Sequence, residues 1–334
     1  MPTFLTSDVI RHELFSGYVQ QALVQNSSFL QSGIVTTDPT VDAAAKSSQS
    51  AETQIKYITE LDGTSKIASG TSSTAITPNK LSTGIYRCVK HFRTEAWEQN
   101  QLTKFFVGSD PLANVAAQIA RYWDKEIQKS LVSSVIGVFA DNAANDSGDM
   151  IVNVATDSAN ATTDAERISA SLIIDAEGTM GDSDSLAGIC MHSVVYTKLK
   201  KLNEITFVRA SESSPQIPFY RGKLVIVNDN MPAIAGTNRI TYHTYLFGMG
   251  AVVYADGGHP EPFAEQNNEA AYNGAGSKMI ISRNNYIIHP QGWEFKSVSI
   301  GEISPTNAEL EEAQQWDRKA PRKLCKIACI KTNG

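Results

Sequence analysis

The stretch SDPLANVAAQIARYWDKEIQKSLVSSVIGVFA, residues 109–140, decides the fold class. Ser109 and Asp110 are helix-capping types, and Pro111 suits a first helical position, where its missing N–H goes unused. Apolar side chains then recur at Leu112, Val115, Ala116, Ile119, Trp123, Ile127, Leu131, Val135 and Phe139. Steps of three or four place them on one helical face. Nothing interrupts the pattern before Gly137. The spacing therefore predicts one helix over about 110–140, a rod of roughly 45 Å at about 1.5 Å per residue. Mean globular helices have about 11–12 residues, so this one is long enough to be a spine. Val115, Ile119, Trp123, Ile127 and Leu131 are expected to face the core. Asn114, Gln118, Arg121, Lys125 and Gln128 fall on the opposite face, which predicts coverage on one side only.

On the amino-terminal side, residues 53–95 read as extended chain. TQIKYI alternates Ile55, Tyr57 and Thr59 against Gln54, Lys56 and Ile58. LDGTSKIASGTSSTAITPNK follows, rich in Gly, Ser and Thr, and STGIYRCVKHFRTEAW is a second extended run. Two strands around a long polar tip make a projecting hairpin, which is marginal alone in water and calls for a neighbouring molecule to cover it. Residues 1–50 read as an arm. Leu14, Phe15, Tyr18, Val19 and Leu23 have helical spacing, whereas TTDPTVDAAAKSSQSAE is small, polar and unpatterned, the composition of a linker.

Beyond the spine, Thr163 with Glu166 forms a capping box that predicts a helix through Ile168, Leu172 and Ile173, ending at Gly178. LAGICMHS reads as a buried strand, with Ser193 capping the helix VVYTKLKKL. KLVIV at 223–227 is a second buried strand, and TYHTYLFGMGAVVYA at 241–255 a third strand region kinked at its glycines. SKMIISRNNYIIHPQGWEF alternates as a long strand pair or ribbon. Strands and helices in this order indicate an α+β chain with a mixed sheet.

The 334 residues carry 29 Lys+Arg against 35 Asp+Glu, a formal net charge of −6, with 42% hydrophobic residues. That composition describes a folded chain rather than a disordered one. The acidic balance argues against a surface built to grip nucleic acid by phosphate neutralisation. No run of about 18 apolar residues suggests a membrane span, and MPTFLTSDVIRHELF lacks the form of a secretory signal. Four cysteines, Cys88, Cys190, Cys325 and Cys329, are too few for a disulfide framework in so long a chain and read as reduced thiols.

The search for reaction chemistry finds nothing. NGAGSK resembles only the end of a phosphate-binding loop, and FGMGAV lacks a third glycine. The six histidines, including His192 and His289, are scattered without metal-ligand spacing. Cys325 and Cys329 are expected to pack beside Ile327. The basic cluster Arg318, Lys319, Arg322, Lys323, Lys326 and Lys331 can face nucleic acid, or pair with the preceding ELEEAQQWD. No catalytic residue, metal ligand or cofactor is expected. A free arm, a projecting hairpin and a very long helix are instead parts that meet other subunits.

The order of several motifs resembles that of the tailed-phage major capsid proteins with the HK97-like fold. The motifs are SSFLQSGIV at 27–35, DGTSKIASGTSSTAITPNKLSTG at 62–84, the run from Thr94 into the spine helix, ICMHSVVYTKL, YRGKLVIVNDNMP, TYLFGMGAVVY, SRNNYIIHPQGWEF, and SPTNAEL at 304–310 before Trp316. The chain departs from the family pattern at TQIKYITEL, where a Pro-Phe-aromatic strand is usual, and at EPFAEQNNEAA, where charged pairs are thinned.

The resemblance implies an N-terminal arm at 1–50 and an extended loop at 51–96. It implies a peripheral domain at 97–145 and 256–288, and an axial domain at 146–255 and 289–334. It further implies self-assembly, as hexamers and pentamers, into an icosahedral shell around double-stranded DNA touched non-specifically. Portal, scaffold or decoration proteins would be partners, with no membrane, and assembly would take place in the bacterial cytoplasm. Lys66 and Ile67 at the loop tip, and Phe15 and Tyr18 in the arm, are the expected assembly residues. The rival readings are an encapsulin-like compartment and, in another class, a soluble α/β enzyme.

Overall fold

A computed structural model describes residues 33–47, 51–58, 63–68, 78, 83–100, 115–181, 186–208 and 217–334. Phe15, Tyr18 and the expected cap at Ser109, Asp110 and Pro111 lie outside them. In chain order the elements are β1 (Val35–Thr36), α1 (Pro39–Lys46), β2 (Glu52–Ile58), β3 (Thr83–Val89), β4 (His91–Asn100), α2 (Val115–Asn145) and β5 (Ile151–Asn153). Then come α3 (Ala170–Gly178), β6 (Leu186–Met191), α4 (Ser193–Lys201), β7 (Thr206–Val208), β8 (Ile217–Tyr220), β9 (Lys223–Val227), β10 (Ala233–Ala235) and β11 (Ile240–Gly248). The last are β12 (Val252–Asp256), β13 (Phe263–Asn268), β14 (Ser277–Pro290), β15 (Trp293–Phe295), α5 (Asn307–Leu310), β16 (Trp316–Arg318) and β17 (Ile327–Thr332).

Two sheets share the core. In the first, β14 pairs with β4 along one edge and with β13 and then β12 along the other, and β1 adds to β12. The second runs β5-β17-β11-β6-β9-β8-β7, with β10 on β11. It is mixed, because β6 and β9 are parallel while β11 opposes both β6 and β17. The region 241–255 is therefore not one kinked strand. β11 ends at Gly248, and Gly250, at φ +66°, turns the chain out of the second sheet into the first. A left-handed backbone at that point suits a residue without a Cβ.

The 31-residue helix α2 is the wall both sheets pack against. One contiguous cluster joins its Ile119, Trp123, Ile127, Leu131, Val135 and Phe139 to Tyr286 and Ile288 of the first sheet and to Cys190, Tyr245 and Cys329 of the second. Ile119, Trp123, Ile127 and Leu131 are each at most 3% exposed. Val115 is the helix's first described residue, and its side chain is not among those described. The helix lies along β14: Trp123 Nε1 donates to Ser282 Oγ at 2.9 Å, and Ser130 Oγ meets the Tyr286 hydroxyl at 2.9 Å.

One-sided coverage holds only near the start of α2, where Arg121 and Lys125 are exposed. From Ser130 to Phe139 every residue but Ile136 is buried. Small side chains there let other segments approach closely. Ser133 Oγ donates to Glu311 at 2.8 Å, and Ser134 Oγ to the Ser130 carbonyl at 2.8 Å. Gly137 does not mark the helix end. Trp316 Nε1 donates to the Leu310 carbonyl at 2.8 Å directly over Gly137, and a Cβ at 137 would clash with both groups.

Three local expectations are corrected. The stretch read as linker contains α1, capped by Asp38, whose carboxylate accepts from Thr40 N at 2.8 Å, with Pro39 opening the helix and Val41 and Ala45 buried. The Thr163–Glu166 box caps only a 3₁₀ turn, Asp164–Glu166, and α3 starts after Ser169. The residue preceding α4 is His192, whose Nδ1 accepts from Val194 N at 3.2 Å, so Ser193 is already the first helical residue.

Burial also fixes protonation. His91, stacked on Tyr286 at 5.0 Å, and His289, stacked on Tyr86 at 5.6 Å, are fully enclosed. Burial brings His91 from 6.5 to about 3, with Arg93 adding to the shift, and brings His289 to about 4. Both rings are neutral in the folded subunit, while the unfolded chain protonates them near pH 6.5. Their contribution is therefore intact above pH 6.5 and is lost as pH falls from 6.5 toward about 4 for His289 and about 3 for His91.

These features give three expected outcomes. Gly137→Ala lowers stability by roughly 1–3 kcal/mol, although alanine is the better helix former by about 1 kcal/mol. Urea unfolding followed by circular dichroism checks the sign, and a stabilised variant contradicts the packing. Ile127→Asp buries an unpaired carboxylate at a cost of several kcal/mol and abolishes soluble folded subunit; wild-type stability in that variant contradicts the helix orientation. Lowering pH from 7 to 5 costs roughly 2 kcal/mol for each buried histidine. His91→Phe, which keeps the ring stack, recovers about that amount, and equal acid sensitivity in wild type and variant contradicts the assignment.

Candidate assembly surfaces

The hairpin foreseen near the amino terminus starts from a firmly seated base. β2 and β3 pair antiparallel from Glu52 opposite Val89 to Ile58 opposite Thr83. Ile55 and Cys88 point inward and are buried with Val41 and Ala45 of α1 and with Val253, Ala255 and Ile287 of the first sheet. α1 thus clamps the base from one side.

Aromatic and ionic contacts hold it from the other. The His289 ring lies between Tyr86 and Trp316, at centroid distances of 5.6 and 5.8 Å, and Phe295 meets Trp316 edge-on at 5.2 Å. Glu294 accepts from Arg87 Nε at 2.9 Å and pairs with Lys319 Nζ at 3.1 Å. Burial alone raises the Glu294 carboxyl, but the hydrogen bonds of Arg87 and Lys319 outweigh it and hold the group below its usual range. Sequence reading missed this carboxylate, because its two cations stand on separate segments far away in the chain.

Beyond the base, the segment at 63–68 is exposed throughout, and Lys66 and Ile67 both lie in it. Ile67 is 96% exposed. An isoleucine presented so fully gains nothing from its own fold, since burying such a side chain is worth roughly 1.5–3 kcal/mol. A hairpin with a packed base and an uncovered Ile67 beyond it is suited to contact with another chain.

The second sheet carries two further exposed places. Ile234 and Ile240 on the β10–β11 hairpin, and Phe207 and Val208 on β7, are exposed. The β10–β11 turn is held in place by Asp157, whose carboxylate accepts from the backbone N–H groups of Thr237, Asn238 and Arg239 at 2.8, 2.8 and 2.9 Å. Those three N–H groups hold the carboxyl below its ordinary range.

Much of the carboxy-terminal basic cluster is engaged within the chain. Arg318 pairs with Asp149 at 2.9 Å and Asp146 at 3.2 Å, Lys319 with Glu294 and Asp317, and Arg322 donates to Thr179 Oγ1 and the Cys325 carbonyl. Of the acidic run before it, only Asp317 takes part in these contacts. Cys325 and Cys329 are buried with Ile327 in the main core, and all four cysteines are unpaired. Among the described residues no group of three or more His, Cys, Asp or Glu side chains converges on a metal position.

Comparison with known proteins places this architecture. Residues 45–324 match the family model for major capsid protein 13-like, or Gp13-like, chains. The major capsid protein of Bacillus phage SPP1 is 34% identical over 331 residues, covering 97% of each chain. The capsid of Ralstonia phage GP4 superposes with a TM-score of 0.58 at 12% identity, over 92% of this chain and 91% of that one. The capsid of cyanophage Pam1 gives 0.52 at 12% identity, over 87% and 88%. At that identity the two structures speak for the fold, which is the HK97-like one, while the sequence matches speak for the family. The chain belongs to the Gp13-like family of tailed-phage major capsid proteins, the structural subunits of the capsid shell.

Proposed function

We propose that the subunit assembles into an icosahedral shell of hexamers and pentamers enclosing double-stranded DNA, by completing the surfaces its own fold leaves bare. The observation that carries this reading is the contrast within one hairpin: a base buried against α1 and the first sheet, and a segment at 63–68 exposed at every residue. In this reading Lys66 and Ile67 lie on one neighbour, and Phe15 and Tyr18 of the arm reach another. The extended loop spans 51–96. The peripheral domain comprises 97–145 with 256–288, and the axial domain comprises 146–255 with 289–334, whose exposed hairpin at Ile234 and Ile240 meets its equivalents around the axes.

Each contact is individually weak. A subunit that makes several at once gains through effective concentration, so a closed shell is stable where a dimer is not. The subunit acts as a wall and not as a catalyst. Its net charge of −6 suits a container whose DNA must enter and leave, because strong phosphate neutralisation would hold the genome to the wall. DNA contacts are then few and read no base edges. Assembly takes place in the bacterial cytoplasm, and portal, scaffold and decoration proteins join the same shell.

Deleting 64–74 tests the reading. The variant is expected to give a folded subunit with the melting temperature of wild type that forms no closed particles under negative-stain microscopy, while wild type does. Normal particles from the deletion variant would show that the tip is dispensable.

A further inference from the structure

The NGAGSK motif, Asn273 to Lys278, makes no phosphate loop, because the strand β14 follows it in place of a helix. It belongs to the turn that joins β13 to β14 at the end of their ribbon, beyond the last paired residues, Asn268 and Ser277. Three successive residues there have left-handed backbones: Tyr272 at φ +55°, Asn273 at +58° and Gly274 at +88°. None of residues 271–274 is buried. The Asn273 side chain is exposed and has no hydrogen bond to another described residue. A Cβ placed on Gly274 would meet no atom within 4 Å, so the turn stands clear of the rest of the subunit there. Gly276 N closes the turn on the Ala271 carbonyl at 3.1 Å, and Ala275 N bonds the Tyr272 carbonyl at 3.3 Å. Opening such a turn breaks exposed hydrogen bonds and uncovers no core, so it costs little.

An asparagine followed by glycine is open to one uncatalysed reaction, because a glycine has no Cβ to crowd the approach of its nitrogen to the preceding side chain. We propose that Asn273 is a site of spontaneous covalent modification, turning into aspartate and isoaspartate through a succinimide formed with Gly274. The Gly274 backbone nitrogen gives its proton to solvent and attacks Asn273 Cγ. A bond from that nitrogen to Cγ forms, the Cγ–Nδ2 bond breaks, and the amide leaves as ammonia after taking up a proton. Water then adds to one of the two ring carbonyls and opens the ring. The sum is asparagine plus water giving a carboxylate and ammonium, with no change of oxidation state. Each conversion makes the subunit one charge more negative than its −6. Isoaspartate also adds one carbon to the main chain inside the turn. This chemistry needs no second subunit, so it holds whether or not shells form.

The fold selects Asn273 over the other Asn-Gly pair of the sequence, Asn333-Gly334. Both ends of the Asn333 amide are engaged: Oδ1 accepts from Thr156 N at 2.8 Å, and Nδ2 donates to the Ile240 carbonyl at 3.1 Å. Its own N–H donates to the Glu166 carbonyl at 2.8 Å, and Gly334 is buried. Asn333 Cγ cannot swing onto the next nitrogen unless these bonds break.

Peptide mapping by mass spectrometry tests the proposal on folded full-length subunit aged at 37 °C at pH 7 and pH 8, with isoaspartate located by a protein isoaspartate methyltransferase. Asn273 is expected to convert at least tenfold faster than Asn333. Isoaspartate is expected to exceed aspartate at 273, and the rate to rise with pH as the Gly274 nitrogen is more often deprotonated. Unfolding in guanidinium is expected to speed Asn333 by at least tenfold and Asn273 by much less. In Asn273→Gln, whose longer side chain does not form the five-membered ring readily, the isoaspartate signal from this turn disappears. No conversion at Asn273, aspartate without isoaspartate, conversion at Asn333 as fast as at Asn273 in the folded subunit, or equal acceleration of both on unfolding each overturns the proposal.

Discussion

Everything in this subunit depends on one helix being buried on nearly all sides between Ser130 and Phe139. Helices on protein surfaces usually bury one stripe, but α2 serves two sheets together with the α5–β16 segment. It meets that demand with small residues. Ser130, Ser133, Ser134 and Gly137 leave room for Tyr286, Glu311 and the Trp316 indole to come close to its backbone. The polar hydroxyls are each bonded, so little is lost by enclosing them. Through this single element the two sheets become one core. Residues distant in the chain, such as Trp316 and Tyr86, are thereby held in a fixed relation.

That relation explains the hairpin. A two-stranded ribbon is marginal in isolation, yet β2 and β3 start from a base gripped by α1, by the Tyr86–His289–Trp316 rings and by Glu294 between Arg87 and Lys319. Trp316 links the base directly to α2 above Gly137. The fold thus spends its rigidity on aiming a projection whose far segment it does not cover. Such an arrangement is pointless in a monomer and economical in a shell, where identical subunits repeat the same contact.

Much of this was legible in the sequence where periodicity is strong. The steps from Ile119 to Phe139 showed the spine, and the alternation around Ile55 with the extended run through Ile85 showed the hairpin. What was hidden had physical reasons. α1 buries only Val41 and Ala45, too few to stand out, although Asp38-Pro39 is a valid start signal. The burial of Ser130, Ser133 and Ser134 is invisible to a pattern that equates polar with exposed. The separation of β11 from β12 depends on a turn at Gly250 whose φ no spacing reveals. Among the assembly candidates, Lys66 and Ile67 were named from the family resemblance, whereas Glu294 owes its importance to partners that only the fold assembles.

The central claim is that identical copies complete the exposed segment at 63–68, and amide hydrogen exchange measures this most directly. The account predicts that these amides exchange rapidly in the free subunit and at least tenfold more slowly in assembled particles, while the amides of β2 near Ile55 are protected in both. Equally rapid exchange at 63–68 in the subunit and in the particle would contradict it.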